Sequence, residues 1–94
     1  MLNVTTEARD CLLSRLGRKK APDDVAMRFT RKKSGWKLRM DRQRPQDTAF
    51  EHKGRNVLLL DEDISRAMAT MTLDVKRTDT GVRLKLQRFK DGSA

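Results

Sequence analysis

The sequence predicts one α+β domain that is rich in β-strands and contains two helices. Several short runs alternate apolar and polar residues, as half-buried strands do, and two other segments place their apolar residues at helical spacing. A chain of 94 residues can bury one modest core. We therefore expect a single domain over residues 1–94, with its core in about residues 4–86 and a flexible tail at 87–94.

The first helix is predicted to begin at Thr5 or Thr6, because either hydroxyl can accept a hydrogen bond from the first helical turn. Gly17 is expected to end it. Helical spacing relates its apolar residues, which are Ala8, Cys11, Leu12 and Leu16. Because a free cysteine on such a face behaves as a small hydrophobe, we expect Cys11 neither to bind metal nor to act as a nucleophile.

An antiparallel hairpin is predicted next, from two runs of alternating residues over 25–30 and 36–40. The polar turn between them contains Ser34-Gly35, and we expect a loop longer than the tight two-residue kind. The residues expected to face the core are Met27, Phe29, Trp36, Leu38 and Met40. Since side chains alternate across a strand, Arg28, Lys37 and Arg39 should then project from the opposite face.

The second half of the chain predicts a strand, a helix and a final pair of strands. Residues 57–60 form a continuous apolar run, typical of a strand buried on both faces, and Asp61 is placed to cap the helix that follows. The apolar side of that helix is expected to comprise Ile64, Ala67, Met68 and Met71. Alternation over 73–76 and 82–86, with turn residues between them, predicts the last two strands.

The net charge of +9 is concentrated in one part of the chain. Residues 15–44 contain twelve Lys and Arg against three Asp, which gives +9 for that segment alone. Such a block attracts an anionic partner, although a solvated face that only aids solubility is the alternative explanation. The candidate binding residues are Arg28, Arg31, Lys32, Lys33, Lys37, Arg39, Arg42 and Arg44.

A series of residues in the second half resembles a known family. In order they are Asp47, Phe50, Gly54, the apolar run 57–60 with Asp61 after it, Ser65 and Leu73-Asp74. Their order and spacing resemble the HesB/IscA-type (A-type carrier) iron-sulfur assembly domain, as does the opening Thr5-x-x-Ala8. The resemblance covers most of residues 4–86. It implies a small mixed sheet folded into a sandwich or pseudo-barrel, with a helix near the start and another after Asp61.

The family's metal ligands have no counterpart in this sequence. Members that hold iron or a cluster use three cysteine thiolates, one in a C-S-G-F hairpin and two in a C-G-C. The matching hairpin here is Lys33-Ser34-Gly35-Trp36, and the 94 residues contain no C-G-C. The resemblance therefore predicts the scaffold without cluster ligation, and we expect no metal site and no cofactor.

Other chemistry finds little support in the sequence. His52 is the only histidine, and we expect it to be an exposed, titrating turn residue. The triplet 61–63 is explained more simply by helix capping than by a cation site. There is no Gly-rich phosphate loop and no G-x-S-x-G motif, so we do not expect an enzyme.

The function that these observations favour is a non-catalytic binding or adaptor protein whose basic hairpin face binds an acidic protein. One alternative is a salt-sensitive, weakly sequence-selective nucleic-acid-binding module, although 4% aromatic content offers bases little to stack on. A second alternative is an accessory role in iron-sulfur cluster assembly. The family often self-associates, so homo-oligomers are also implied. No apolar stretch is long enough for a membrane span or a signal peptide, which predicts a cytoplasmic protein without membrane partners.

Overall fold

The structure is a computed structural model, which describes residues 1–33 and 35–88. Two sheets and two helices form the fold, so the predicted β-rich α+β class is confirmed. In chain order the elements are β1 (Asn3–Val4), α1 (Thr6–Arg18), β2 (Val25–Lys32), β3 (Gly35–Arg42), β4 (Thr48–His52), β5 (Arg55–Leu60), α2 (Glu62–Ala67), β6 (Met71–Thr78) and β7 (Gly81–Arg88).

Helix α1 begins as the sequence predicts but ends later. Thr5 is the N-cap, and its Oγ1 accepts a hydrogen bond of 3.1 Å from the Ala8 amide. Gly17 does not end the helix, which continues to Arg18. The reversal falls instead at Lys20, whose φ of 53° is left-handed. Amides of residues 20 and 21 donate to the carbonyls of residues 17 and 16, so the last helical carbonyls are satisfied without glycine.

The larger sheet has the strand order β3-β2-β5-β4. β2 and β3 form the predicted antiparallel hairpin, but Lys32 lies opposite Gly35, so the loop spans two residues and is shorter than expected. Ser34, which the sequence placed in this turn, lies outside the described residues. β4 and β5 form a second hairpin through Lys53 and Gly54, which both have positive φ, as the tight turns between twisted strands require.

β2 is more deeply buried than its alternation predicts. It pairs with β3 on one side and β5 on the other, and residues 26–29 are all buried, so it is not a half-buried strand. β3 lies at the edge of the sheet in the described part of the chain. In keeping with that position Trp36 and Leu38 are only half-buried, and Met40, predicted to face the core, is 41% exposed.

The smaller sheet has the order β1-β6-β7. β6 and β7 are the predicted final pair, antiparallel, with Thr78 opposite Gly81. Gln87 and Arg88 belong to β7 and not to a tail. The rest of the predicted tail, residues 89–94, lies outside the described residues.

Helix α2 is capped by Asp61, whose Oδ1 accepts a hydrogen bond of 2.8 Å from the Ile64 amide, as predicted. Only Ile64 and Met68 of its expected apolar residues are buried. Ala67 is exposed, and Met71 lies in β6 because the chain turns after Met68, which closes the helix. The sequence prediction therefore assigned too many residues to the apolar side of α2.

The core lies where α1 packs against both sheets. Ala8, Leu12 and Leu16 are fully buried on one side of α1, and residues 57–60 are at most 1% exposed, which confirms a strand buried on both faces. Arg55 joins this core to the loop after α1, since its Nη2 donates to the carbonyls of residues 21, 22 and 25.

Candidate anion-binding surface

Seven of the eight cations predicted to bind an anionic partner are exposed, and the eighth is not. The exposed ones are Arg31, Lys32, Lys33, Lys37, Arg39, Arg42 and Arg44. Arg28 is only 3% exposed. It shares a sheet face with Arg39, as alternation predicts, but that face is covered at this point.

Arg28 is buried because carboxylates surround its guanidinium. Nη1 donates to Asp47 Oδ1 over 2.8 Å, Nη2 donates to the other oxygen of the same carboxylate, and Nε donates to Asp41 Oδ2 over 2.9 Å. Nη2 also donates to the Arg42 carbonyl over 3.0 Å. Hydrogen bonds from Arg28 hold the pKa of the Asp47 carboxyl below its ordinary value, and those to Asp47 raise the pKa of Arg28. Arg28 is therefore a structural residue and is removed from the candidate site.

Arg42 and Arg44 are exposed but already have acidic neighbours. Arg42 Nε donates to Asp24 Oδ2 over 2.7 Å, and Arg44 Nη2 donates to Asp41 Oδ2 over 2.9 Å. The hydrogen bond from Arg42 lowers the pKa of Asp24. Exposed pairs of this kind contribute little to stability, so a partner could replace them, but each already neutralises part of the local field.

Five cations at the hairpin have no carboxylate within 4.0 Å in residues 1–33 and 35–88: Arg31, Lys32, Lys33, Lys37 and Arg39. Because directly paired residues share a face, the pairing register places Lys32, Lys37 and Arg39 on one face of the hairpin. Arg31 lies on the other face, opposite Trp36, with its guanidinium 5.3 Å from the centre of that ring. Positive charge therefore occupies both faces of the hairpin, and we call these five residues the hairpin cations.

A second cationic feature lies between β3 and β7, where the sequence did not predict one. A groove of about 880 Å³ is lined by residues of α1, β3 and β7 and by Lys19 and Thr80. Five of these residues are cations: Arg15, Arg18, Lys19, Lys37 and Arg83. No carboxylate of the described residues lines it. Arg15 and Arg83 are 68 positions apart (83 minus 15), so only the fold brings their charges together.

The groove continues into a recess of about 440 Å³, six of whose eight lining residues are apolar. Arg15, Trp36, Lys37 and Leu84 line both parts, and the recess adds Phe29, Leu38, Leu73 and Leu86. Trp36 packs edge-to-face on Phe29, with ring centres 6.4 Å apart. We refer to the two parts together as the β3–β7 groove. Alternation along 82–86 was the sequence signal for its floor, although it was used only to predict a strand.

His52 is not the exposed turn residue that the sequence predicts. It is the last residue of β4, its side chain is 14% exposed, and its Nε2 lies 2.6 Å from Asp10 Oδ1. This hydrogen bond lowers the pKa of Asp10. The turn itself is formed by the next two residues, Lys53 and Gly54.

Side chains suited to hold iron or a cluster do not come together in the part of the chain that the structure describes. It has no group of three His, Cys, Asp or Glu side chains placed to share a metal ion. Cys11 is half-buried on α1. Asp61 in the acidic triplet is engaged as a helix cap, and Glu62 pairs with Arg66 at 2.7 Å.

Comparison with solved structures identifies the fold. Escherichia coli SufA, described as involved in biosynthesis of iron-sulfur clusters, is 23% identical, with a TM-score of 0.68 over 93% of this chain and 84% of SufA. IscA with a [2Fe-2S] cluster is 12% identical, with a TM-score of 0.60 over 94% of this chain and 85% of IscA. The chain has the fold of SufA and IscA. The HesB/IscA-like fold predicted from the sequence is thereby confirmed.

Comparisons by sequence add no closer relative, since no family model and no curated protein matches the chain. Within residues 1–33 and 35–88, none of the helices has both the length and the apolar character needed to cross a membrane.

Proposed function

We propose that this chain is a non-catalytic binding or adaptor protein on the SufA/IscA-like scaffold, which binds an acidic protein through its hairpin cations. The observation that carries the proposal is the group of five exposed cations without carboxylate neighbours in the described residues. Arg42 and Arg44 extend the same surface, and their present partners would exchange with those of the bound protein.

The contrast with Arg28 supports this assignment. The fold pairs a buried cation with carboxylates from two segments, whereas it leaves the hairpin cations without a carboxylate neighbour in the described residues. Clustered like charges repel one another over roughly 8–10 Å at physiological ionic strength, so an acidic partner would relieve a repulsion that exists in the free protein. Association should therefore be faster and tighter at low salt.

The adaptor hypothesis also holds that cluster ligation has been lost. One cysteine cannot supply the three thiolates that the resemblance implies, and a lysine ammonium has no lone pair to offer a metal while it is protonated. Protein purified without oxygen, incubated with ferrous iron and sulfide and then separated from the free iron sulfide should be colourless, without bound iron or sulfide in fixed ratio. A stoichiometric chromophore would contradict the loss of ligation.

Binding can be tested with a fluorescent polyglutamate peptide, measured by anisotropy at low and at physiological ionic strength. Reversal of two hairpin charges, Lys32→Glu with Lys33→Glu, should weaken binding, whereas Lys76→Glu with Lys85→Glu makes the same change in net charge on the other sheet and should weaken it less. Equal losses in the two variants would show that only net charge matters, and the hairpin would not be a binding site.

A second candidate is an accessory role in iron-sulfur cluster assembly, favoured by the likeness to SufA and IscA. In that role the acidic partner would itself be a protein that carries or builds clusters. Partners recovered from cells on the unmodified protein, but not on the hairpin variant, can be assayed for iron and sulfide. If the recovered partners contain neither iron nor sulfide, the assembly role is rejected and the adaptor role is retained.

Nucleic acid is the weaker interpretation. Arg31 lies over one side of Trp36 and Phe29 packs against it, so less of this ring is open for bases to stack on. A labelled single-stranded oligonucleotide in the same titration tests the point. Binding tighter than that of polyglutamate at equal salt would favour nucleic acid.

A further inference from the structure

The β3–β7 groove is flanked by two strands that each lie at the edge of a sheet. β3 ends the four-stranded sheet and β7 ends the three-stranded sheet, and neither has a strand on its outer side within the described ranges. An edge strand presents unpaired amide and carbonyl groups, which can pair with an added extended segment. Residues of both strands line the same groove.

The side chains of the groove combine an apolar floor with a cationic mouth. Trp36 and Leu84 line the floor of both parts and are half-buried, and Val82 at the mouth is 51% exposed. Four of the five cations of the mouth come from α1, β3 and β7, and the fifth, Lys19, directly follows α1. None of the five has a carboxylate within 4.0 Å in the described structure. The groove can therefore accept apolar side chains and carboxylates at once.

We propose that the β3–β7 groove binds an extended segment of an acidic protein in which carboxylate and apolar residues alternate. This deepens the proposed function, on which it rests, by naming the chemistry of the bound segment. Alternation matches the site because successive side chains of a strand point to opposite sides. Apolar side chains contact Trp36, Val82 and Leu84, carboxylates meet the mouth cations, and the backbone pairs with a free strand edge.

The pattern of the groove favours a peptide over a nucleic acid strand. Its apolar lining is mostly aliphatic and lies between two strand edges, which offer backbone pairing to a peptide only. A single-stranded nucleic acid would use aromatic stacking, and the one tryptophan here is already packed against Phe29. An oligonucleotide is nevertheless included in the test below.

The test uses a fluorescein-labelled peptide of about eight residues, the length of β7, with alternating glutamate and valine. A block peptide of the same composition, four glutamates and then four valines, is the control for sequence order. An alternating peptide methylated on every second backbone nitrogen is the control for strand pairing. We expect the alternating peptide to bind about tenfold more tightly than either control in anisotropy titrations.

Variants separate this proposal from the proposed function. Val82→Glu and Arg83→Glu change exposed groove residues, and each should weaken the alternating peptide about tenfold while leaving polyglutamate binding by the hairpin cations largely unchanged. Val82→Ser tests the same position without an added charge. Circular dichroism checks that each variant is folded. The doubly reversed hairpin, Lys32→Glu with Lys33→Glu, should show the opposite pattern.

Several results would overturn the groove proposal. These are equal binding of alternating and block peptides, full binding of the methylated peptide, unchanged binding by both groove variants, or tighter binding of an oligonucleotide that competes for the groove. If polyglutamate still binds the hairpin in those cases, the proposed function stands alone. If no acidic probe binds at low salt, both proposals fail.

Discussion

Arg28 and Asp47 form a bidentate ion pair in which both terminal nitrogens of the guanidinium bond both oxygens of the carboxylate. The two side chains are 4% and 1% exposed. Asp47 also accepts a hydrogen bond of 2.7 Å from the Arg44 amide, so the pair fastens the segment before β4 onto the centre of the larger sheet. The first residue of the D-x-x-F pattern is thus a packing residue for β2.

Substitution of only one partner of this ion pair should markedly lower the free energy of unfolding. Asp47→Leu leaves the Arg28 charge buried with only Asp41 beside it, and we expect a loss of roughly 3 kcal/mol in the free energy of unfolding, measured with urea. Arg28→Met should cause a similar loss because it leaves the buried Asp47 carboxylate without its cationic partner. The double variant should lose less than the sum of the two single losses, whereas a strictly additive result would show that the charges do not depend on each other.

Stability should fall in acid partly through Asp47. Its pKa is lowered in the folded protein from the ordinary value of 3.8, mainly by hydrogen bonds from Arg28. A lowered carboxyl pKa stabilises the fold at pH above the unfolded value and loses that effect as pH falls through the folded value. The difference in unfolding free energy between the wild type and Asp47→Asn should therefore be constant above about pH 5 and shrink below pH 4. A difference that grew in acid would contradict the pairing.

The start of α1 offers a matched pair of threonines. Thr5 Oγ1 accepts from the Ala8 amide and donates to Asp74 Oδ1 over 3.0 Å, which joins the helix to β6, whereas Thr6 is exposed in the first turn. Thr5→Ala should cost about 1–2 kcal/mol in the free energy of unfolding, and Thr6→Ala less than about 0.5 kcal/mol. Thermal unfolding of the two variants compares them directly, and a larger cost at Thr6 would place the cap elsewhere.

Lys20 holds a backbone conformation that costs a residue with a Cβ about 1–2 kcal/mol. Lys20→Gly removes that strain but adds freedom to the unfolded chain, so we expect a net gain of about 0.5 kcal/mol. Lys19→Gly is the control. Lys19 has a φ of −85°, which is not strained, so glycine there should only lower the free energy of unfolding. Urea unfolding measures both, and a loss at position 20 as large as that at 19 would argue against the strain.

The sequence predicted elements whose signal is local. Asp61 lies directly before its helix, residues 57–60 are continuously apolar, and the last two strands alternate cleanly, so periodicity and capping chemistry were sufficient. β1 has two residues and β4 has no clear alternation, and both were missed because they are held by pairing with β6 and β5. For β1 the partner residues lie far along the chain, whereas β4 pairs with the strand that directly follows it.

The same reason explains the outcome for the site. Alternation placed Arg28 on the correct face, but its burial depends on carboxylates 13 and 19 positions away. The exposure of the hairpin cations needs no such partners, and alternation and turn position were enough to predict it. The groove was not predicted because its charges come from the end of α1 and the residue after it, from β3 and from β7, which are far apart in the sequence.

The charged borders of the two sheets also bear on how copies of this protein meet. Lys37 and Arg39 stand on the β3 edge, and Arg83 and Lys85 on the β7 edge, so two molecules that tried to join border to border would bring like charges into register. This repulsion disfavours edge-to-edge assembly of copies into fibres, whereas the backbone of each edge strand can still pair with an acidic peptide. Concentrated salt, by screening that repulsion, should be the condition under which the purified protein first loses solubility.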